Sequence, residues 1–264
     1  MRILVCIKQV PGTTQVDIDE KTGVLKRDGV ESKINPYDLF AIETALRLKA
    51  HWPEATTLAL SMGPPQAEQS LREALMMGID EAVLVTDRAF AGADVLATAY
   101  TLSQAIQVIG DAGIIICGQQ TTDGDTAQVG PEIAEFLGIP HATNVIAIHE
   151  LQERTVTVQV DLPVTEETIR LPLPCLLSVN KDIYTPRLPS FKRKKATRDV
   201  AVRRITLADL PDTNPNRYGL NGSPTNVVRI FPPEHDVTRE TWEGSSSELA
   251  GRLCGYLRDA KFLV

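Results

Sequence analysis

The stretch IIICGQQTTDGDTAQVGP, residues 114–131, combines a short apolar run, a polar loop and the start of a helix. Consecutive isoleucines are typical of a strand that is covered on both faces of a parallel sheet. Pro131 has no amide hydrogen, which predicts that the next regular helix does not begin much before Gln128. We therefore expect a strand over 114–117, a long loop, and then a helix.

The same alternation of short apolar runs and longer amphipathic stretches extends from Met1 to about Leu137 and is typical of β-α-β units and a parallel sheet. Asn35 and Asp94 are expected to cap helices, and Gly78 to end one in a left-handed conformation. The expected strands are 2–8, 56–60, 82–85 and 114–117, and the expected helices start at Asn35-Pro36, about 66 and Asp94.

The second half of the chain has a different pattern. Alternating residues over 155–160 and 167–171 predict a hairpin, and 176–179 predicts a strand that returns to the sheet. From Pro186 to about Val237 the chain is rich in Pro, Arg, Lys and Asn, without a periodicity that could close a core. We expect this segment to pack on another surface instead of forming a core of its own. A short helix is expected over 248–257.

Composition excludes several classes of protein. The 264 residues are 43% apolar, enough to bury a core, and the net charge of −7 argues against a general cationic surface for nucleic acid or anionic lipid. No apolar run approaches the roughly 18 residues of a membrane span, and no export signal opens the chain, so we expect a cytoplasmic protein. The four cysteines are widely spaced and are expected to be reduced and mostly buried; they are Cys6, Cys117, Cys175 and Cys254.

The loop after residue 117 is the best candidate for a binding site. Ligands of open parallel sheets bind beyond the carboxyl ends of the strands. The amides of residues 124–130 are expected to be available to a phosphate, with small residues at Gly124, Thr126, Ala127 and Gly130. Asp123 and Asp125 would repel a phosphate unless they accept hydrogen bonds from nearby amides. An ordinary capped loop without a ligand is an equally good interpretation, because neither standard phosphate-loop fingerprint is present.

No catalytic constellation is visible. The four histidines lie in unrelated segments, namely at His51, His141, His149 and His235, and we predict no catalytic residue and no metal site. Lys8 lies at the end of the first expected strand and is placed either to reach the ligand crevice or to remain a solvated surface lysine. The basic run 191–195 favours contact with a protein partner over a simply solvated stretch.

The motifs taken together identify a family. The chain resembles the beta subunit of electron-transfer flavoproteins over essentially its whole length, most closely the electron-bifurcating group. The motifs that carry the resemblance are residues 5–11 (VCIKQVP), 35–38 (NPYD) with Glu43 and Ala45, 62–65 (MGPP) and 123–131 (DGDTAQVGP).

The resemblance implies a Rossmann-like, doubly wound parallel sheet of the adenine nucleotide alpha hydrolase type. It implies a nucleotide- and flavin-binding α/β domain over 1–185 and an extended C-terminal arm over 186–264 that wraps on a partner subunit. The implied cofactor-binding residues are Cys6, Lys8, Asn35, Met62, Gly63, Thr121, Asp123, Gly124, Asp125, Thr126, Ala127, Gln128 and Val129.

The resemblance also implies cofactors and partners. Residues 86–94 and the DGDT sequence favour FAD on this subunit over the structural AMP of simple carriers, with Gly92 and Ala93 leaving room for the isoalloxazine ring. A second FAD lies on the alpha subunit, and NAD is a substrate. Electrons from NADH would pass to ferredoxin or flavodoxin and, through the alpha subunit, to an acyl-CoA or hydroxy-acid dehydrogenase.

Residues 186–189 followed by 192–195 resemble the family's recognition loop, in which Leu188 takes the place of the leucine that anchors in the partner dehydrogenase. The hairpin over 155–171 lacks the family's acidic-Gly-Gly turn. An ATP-binding regulator on the same fold is an alternative of another class, because a fold does not determine a function.

Overall fold

A twisted sheet organises the first of two compact units. The computed structural model describes residues 1–12, 32–228 and 239–263, and the chain divides into Met1–Val228 and Arg229–Val264. The strands described in the first unit are β1 Arg2–Cys6, β2 Gln9–Pro11, β3 Ser32–Ile34, β4 Thr56–Met62, β5 Glu81–Val85, β6 Ala112–Gly118, β7 His141–Leu151, β8 Thr155–Asp161, β9 Glu166–Pro172, β10 Cys175–Val179 and β11 Val202–Ile205.

The helices described in the first unit are α1 Pro36–His51, α2 Glu68–Met77, α3 Val95–Ile109, α4 Val129–Leu137 and α5 Phe191–Ala196. Helices α1 to α4 follow the helical stretches expected from the sequence, whereas α5 lies in a segment where no helix was expected. The second unit contains α6 Ser246–Asp259, whose N-terminus carries a capping box formed by Ser245 and Glu248.

The strand order of the main sheet is β11-β5-β4-β1-β6-β10-β7-β8-β9. The strands are parallel from β11 to β7, and β7, β8 and β9 continue as an antiparallel meander. The chain leaves β1 toward β4 and β5 and then returns to β6 on the other side of β1. The order therefore reverses between β1 and β6, the place where open α/β sheets bind ligands.

The two faces of the sheet carry separate cores. Ile3 and Val5 of β1 pack with α1 and α2, whereas Leu4 packs with α3 and α4 on the opposite face. All three side chains are fully buried, and such burial stabilises a fold by about 1.5–3 kcal/mol per large aliphatic side chain. Helices on both faces of a mostly parallel sheet confirm the doubly wound, Rossmann-like α/β class.

Several local predictions are confirmed. Asp94 accepts a hydrogen bond from the Ala97 amide as the cap of α3, and Gly78 ends α2 with a φ of +136°. The 155–171 hairpin is present as β8 and β9, and β10 inserts beside β6. All four cysteines are free thiols, three of them buried and Cys254 exposed.

The boundary expected at residue 185 does not match the structure. Strand β11 extends the sheet beside β5, and the Tyr218 side chain is completely buried between the rings of Phe90 and Tyr100, with centroid distances of 5.5 and 5.4 Å. The first unit therefore continues to Val228, because residues 186–228 contribute a strand and the buried Tyr218 ring to it.

Candidate functional site

Three neighbouring strands end together at the edge where the strand order reverses. Cys6 ends β1, paired with Leu60 of β4 on one side and Cys117 of β6 on the other. Met62 ends β4 and Gly63 follows it, with the Gly63 amide donating to the Val85 carbonyl at 3.0 Å. The carboxyl ends of β4, β1 and β6 thus gather the sequence-predicted residues at one edge of the sheet.

The loop of residues 118–128, which we call the 118–128 loop, connects β6 to α4. Helix α4 begins at Val129, as Pro131 predicted, and residues 122–128 are exposed. Asp125 and Ala127 have φ values of +52° and +55°, and Gln128 is right-handed. Such alternation of backbone handedness turns successive amides toward one side, as in anion-binding nests.

The amides of this loop divide into two groups. The Gly124 amide donates to Thr121 Oγ1 at 3.3 Å and the Asp125 amide to the Thr121 carbonyl at 2.9 Å, so the expectation that both are available is wrong. Among the described residues, none accepts from the amides of Thr126, Ala127, Gln128 or Val129. These amides, at the positive end of α4, fit a phosphate.

Gly130 lies in the first turn of α4, facing the sheet and not the exposed loop. It is buried, and a Cβ at this position would lie 3.4 Å from Leu176 Cδ2 and 3.7 Å from the Cys117 side chain. These are ordinary van der Waals distances, so a Cβ would fit here and the packing does not require glycine. Our expectation that a ligand approaches the backbone there is wrong.

The acidic residues of the loop are held mainly by side-chain donors. Lys8 Nζ lies 2.8 Å from Asp123 Oδ1, and the Gln120 side-chain amide donates to Asp125. Partial burial raises the pKa of Asp123, but the Lys8 ammonium outweighs it and brings the pKa below its usual value. The loop amides that we expected to hold both carboxylates play a smaller part. The ion pair nonetheless draws Asp123 toward Lys8 and compensates its charge.

Asn35 stands at the cap position of α1, but its side chain does not cap the helix. Its Nδ2 donates to Asp38 Oδ1 at 3.0 Å and to the Gln120 carbonyl at 2.8 Å, and its Oδ1 accepts from the Thr122 amide at 3.2 Å. The prediction that the Asn35 side chain caps α1 is therefore wrong, although its position is right. The amide ties the start of α1 to the 118–128 loop.

Asp38 and Gly118 are functional candidates that the sequence reasoning missed. The Asp38 side chain lies beneath the loop and accepts from the Lys8 amide at 2.7 Å. A Cβ on Gly118 would come within 2.5 Å of Asp38 Oδ1, so only glycine fits there. Burial raises the pKa of Asp38 to about 7, against the opposing effects of the Lys8 amide, Asn35 and the Lys8 charge. An Asp in the first turn of a helix is common, so the sequence carried no signal for this burial.

Leu188 lies in an exposed loop between β10 and α5, and 86% of its surface is accessible. Arg187 anchors one side of this loop: its Nε lies 2.7 Å from Oε2 of Glu43, a carboxylate that is only 4% exposed. On the other side the Ser190 amide donates to the Met76 carbonyl at 3.0 Å. Leu188 is thus displayed from a base fixed on α1 and α2.

The remaining candidates lie away from this edge or have another role. His51 is at the end of α1, and His141 and His149 are in β7, while His235 lies outside the described residues. A Cβ on Gly92 would meet Leu220 Cβ at 3.2 Å, so the space beside this glycine is filled by the chain itself. No cluster of three metal-ligating side chains occurs in the described ranges. Within those ranges, every helix is too short or too polar to cross a bilayer.

Fold and site define a doubly wound α/β protein with a loop of amides, unbonded within the described residues, at the carboxyl edge of a parallel sheet. The electron transfer flavoprotein domain model matches residues 22–210. The chain belongs to the electron transfer flavoprotein beta-subunit family.

Several curated relatives match nearly the whole chain. The caffeyl-CoA reductase-Etf complex subunit CarD of Acetobacterium woodii is 42% identical, covering 98% of each chain. An electron transfer flavoprotein subunit beta of Thermoanaerobacterium thermosaccharolyticum is 45% identical over 96% of each. Protein FixA of Sinorhizobium fredii is 40% identical over 96% of this chain and 92% of its own.

Proposed function

We propose that this chain binds FAD as the beta subunit of a heterodimeric, electron-bifurcating flavoprotein in the cytoplasm. The observation that carries the proposal is the set of amides from Thr126 to Val129 at the head of α4, for which no described residue is an acceptor. A diphosphate would satisfy these donors. Lys8, paired with Asp123, would stand beside it and offset the charge of that carboxylate, and Cys6, Met62 and Gly63 would line the crevice.

The neighbourhood of α3 favours a ligand longer than AMP. The 86–94 segment follows β5 at the same edge of the sheet, and Asp94 at the head of α3 lies near Glu132 of α4, whose pKa is raised by burial and by the Asp94 charge. A longer ligand would run from the 118–128 loop along these two neighbouring helix heads, and not beside Gly92, where Leu220 fills the space. The relative named as a subunit of a caffeyl-CoA reductase-Etf complex supports a place for this chain in an electron-transfer complex.

A bound flavin supplies the redox chemistry, and the chain supplies binding and orientation. In the proposed reaction NADH provides an electron pair, of which one electron goes to ferredoxin or flavodoxin and the other to the FAD of the alpha subunit. From there it passes to an acyl-CoA or hydroxy-acid dehydrogenase, on which Leu188 would anchor. No acid or base on this chain is needed for these transfers.

Cofactor stoichiometry and the absorbance spectrum of the purified heterodimer test the proposal. We expect two FAD per heterodimer and loss of the flavin absorbance on addition of NADH. One FAD with one AMP, and no response to NADH, would replace it with a simple carrier that holds structural AMP. Binding of ATP without any flavin would instead indicate a regulator on the same fold.

A further inference from the structure

We infer that Asp38 is a positioning residue for the nucleotide, whose buried carboxylate fixes Lys8 and Asn35 against the 118–128 loop. This inference rests on the proposed function, because the ligand that it serves is the proposed nucleotide. Asp38 lies below the loop, is 5% exposed and is placed to act through its neighbours.

The carboxylate joins three segments directly. Oδ2 accepts from the Lys8 amide at 2.7 Å, just after β1, and Oδ1 accepts from Asn35 Nδ2 at 3.0 Å, at the start of α1. Gly118 at the end of β6 lies against the same oxygen, with no space for a Cβ. Asp38 therefore stands where β1, α1 and β6 meet.

Two of these segments continue to the loop. The Lys8 side chain extends to Asp123 at 2.8 Å. The Asn35 amide donates its second hydrogen to the Gln120 carbonyl at 2.8 Å and accepts from the Thr122 amide at 3.2 Å. Because Asp38 takes one of the two Nδ2 hydrogens, it sets which way the Asn35 amide faces.

This carboxylate is unfavourable for folding in its ionised form. Burial is the largest effect on its pKa, and the Lys8 ammonium is the charge that opposes it; the Cys117 thiol on β6 is the other titratable group that interacts with it. A buried charge that weakens the fold but connects three binding segments is better explained by the site than by stability.

Asp38→Asn tests the inference, because the amide keeps the shape but offers one acceptor oxygen where two donors point. We expect the dissociation constant for FAD, measured on the heterodimer stripped of cofactor at about pH 8, to rise about tenfold or more. The dissociation constant for AMP is measured in the same way, as a second probe of the site. Hydrogen exchange at residues 120–123 should accelerate, while the melting temperature stays unchanged or rises.

Asp80→Asn is the matched control. Asp80 pairs with Lys49 and the Thr57 amide at the opposite edge of the sheet, and its pKa is lowered because Lys49 and Thr57 outweigh its burial. We expect this substitution to lower the melting temperature and to leave FAD affinity unchanged.

The outcomes separate clearly. An Asp38→Asn heterodimer with wild-type affinity and exchange would overturn the inference, as would equal losses of affinity in the Asp38 and Asp80 variants. If Asp38→Asn does not fold, the wild type decides: its FAD affinity should fall between about pH 8 and about pH 6, where Asp38 takes up a proton, and a flat profile would overturn the inference. A wild type that binds neither FAD nor AMP would refute the proposed function itself.

Discussion

Single residues of the 118–128 loop combine unusual backbone angles with available amides. Ala127 is the clearest case, since its φ of +55° is costly for a residue with a Cβ. Its amide also belongs to the group for which no described residue is an acceptor. Strain of this kind at a ligand loop is consistent with a backbone shaped for binding.

Two substitutions of Ala127 should therefore have opposite outcomes. Ala127→Pro removes the amide and requires a negative φ, so we expect nucleotide affinity to fall by about 1.5–3 kcal/mol, the usual value of a hydrogen bond to a charged group. Ala127→Gly keeps the amide and adopts the positive φ freely, so binding should be retained. Isothermal titration with FAD and AMP measures both, and equal affinities in the two variants would refute a role for this amide.

Asp38 should also give the stability a distinctive dependence on pH. Because its pKa rises from 3.8 to about 7 on folding, the folded chain holds a proton that the unfolded chain releases between these values. The free energy of unfolding of the wild type should therefore fall, relative to Asp38→Asn, by up to about 4 kcal/mol as pH rises from about 4 to about 7. Urea unfolding at several pH values measures it, and parallel curves for the two chains would contradict it.

At the scale of elements, the loop between β10 and α5 is fixed at both ends while its tip remains exposed. Burial raises the pKa of Glu43, but the hydrogen bonds from Arg187 and Arg47 outweigh it and hold the pKa below its usual value. Leu188 and Phe191 are 86% and 83% exposed. Exposed apolar groups on a fixed base suit a protein interface, because little order is lost on binding.

Leu188→Ala should weaken coupling to the partner dehydrogenase without changing the cofactor content. Truncation of a central apolar anchor costs about 2 kcal/mol or more, so we expect the KM for the partner to rise about thirtyfold. Val164→Ala is the control, since Val164 is 92% exposed in a different turn. Loss of flavin from the Leu188 variant, or an equal effect of both substitutions, would speak against this role.

Local sequence patterns predicted strands and helices well where the pattern extends over the whole element. The strands β1, β4, β5 and β6 and the helices between them follow directly from apolar runs and caps. Strand β7 was missed because its residues alternate irregularly between buried and exposed positions. Strand β11 was missed because VRRI pairs along one edge only, with two exposed arginines.

The candidate site likewise contains residues that the sequence predicted and residues that it did not. Its loop was found because glycine, small residues and Pro131 leave local marks in the sequence. Asp38 and Gly118 were missed because their importance comes from contacts between segments that are distant in the chain. A sequence pattern reports neighbours within an element, and only the folded sheet brings β1, α1 and β6 to one point.

At the scale of the molecule, residues 207–222 are part of the first unit. Tyr218 is buried against Phe90 and Tyr100, and the Tyr100 hydroxyl donates to Asp212 Oδ2 at 2.6 Å. The guanidinium of Arg217 lies 4.3 Å above the Tyr100 ring. This aromatic cluster attaches the segment to α3.

Tyr218→Ala should therefore destabilise the first unit by about 3–5 kcal/mol, the usual cost of removing a large buried aromatic side chain. Tyr256→Ala in α6 is the control, because Tyr256 is 61% exposed and its loss should cost less than about 1 kcal/mol. Urea unfolding measures both. If both substitutions lowered the free energy of unfolding by similar small amounts, residues 207–222 would lie on the first unit without contributing to its stability.

The position of β11 has a consequence for synthesis on the ribosome. Strand β5 pairs with β11, whose residues leave the exit tunnel long after β5, α3 and β6 have emerged. Until Ile205 appears, the outer backbone groups of Glu81–Val85 form an open sheet edge that can pair with another nascent chain.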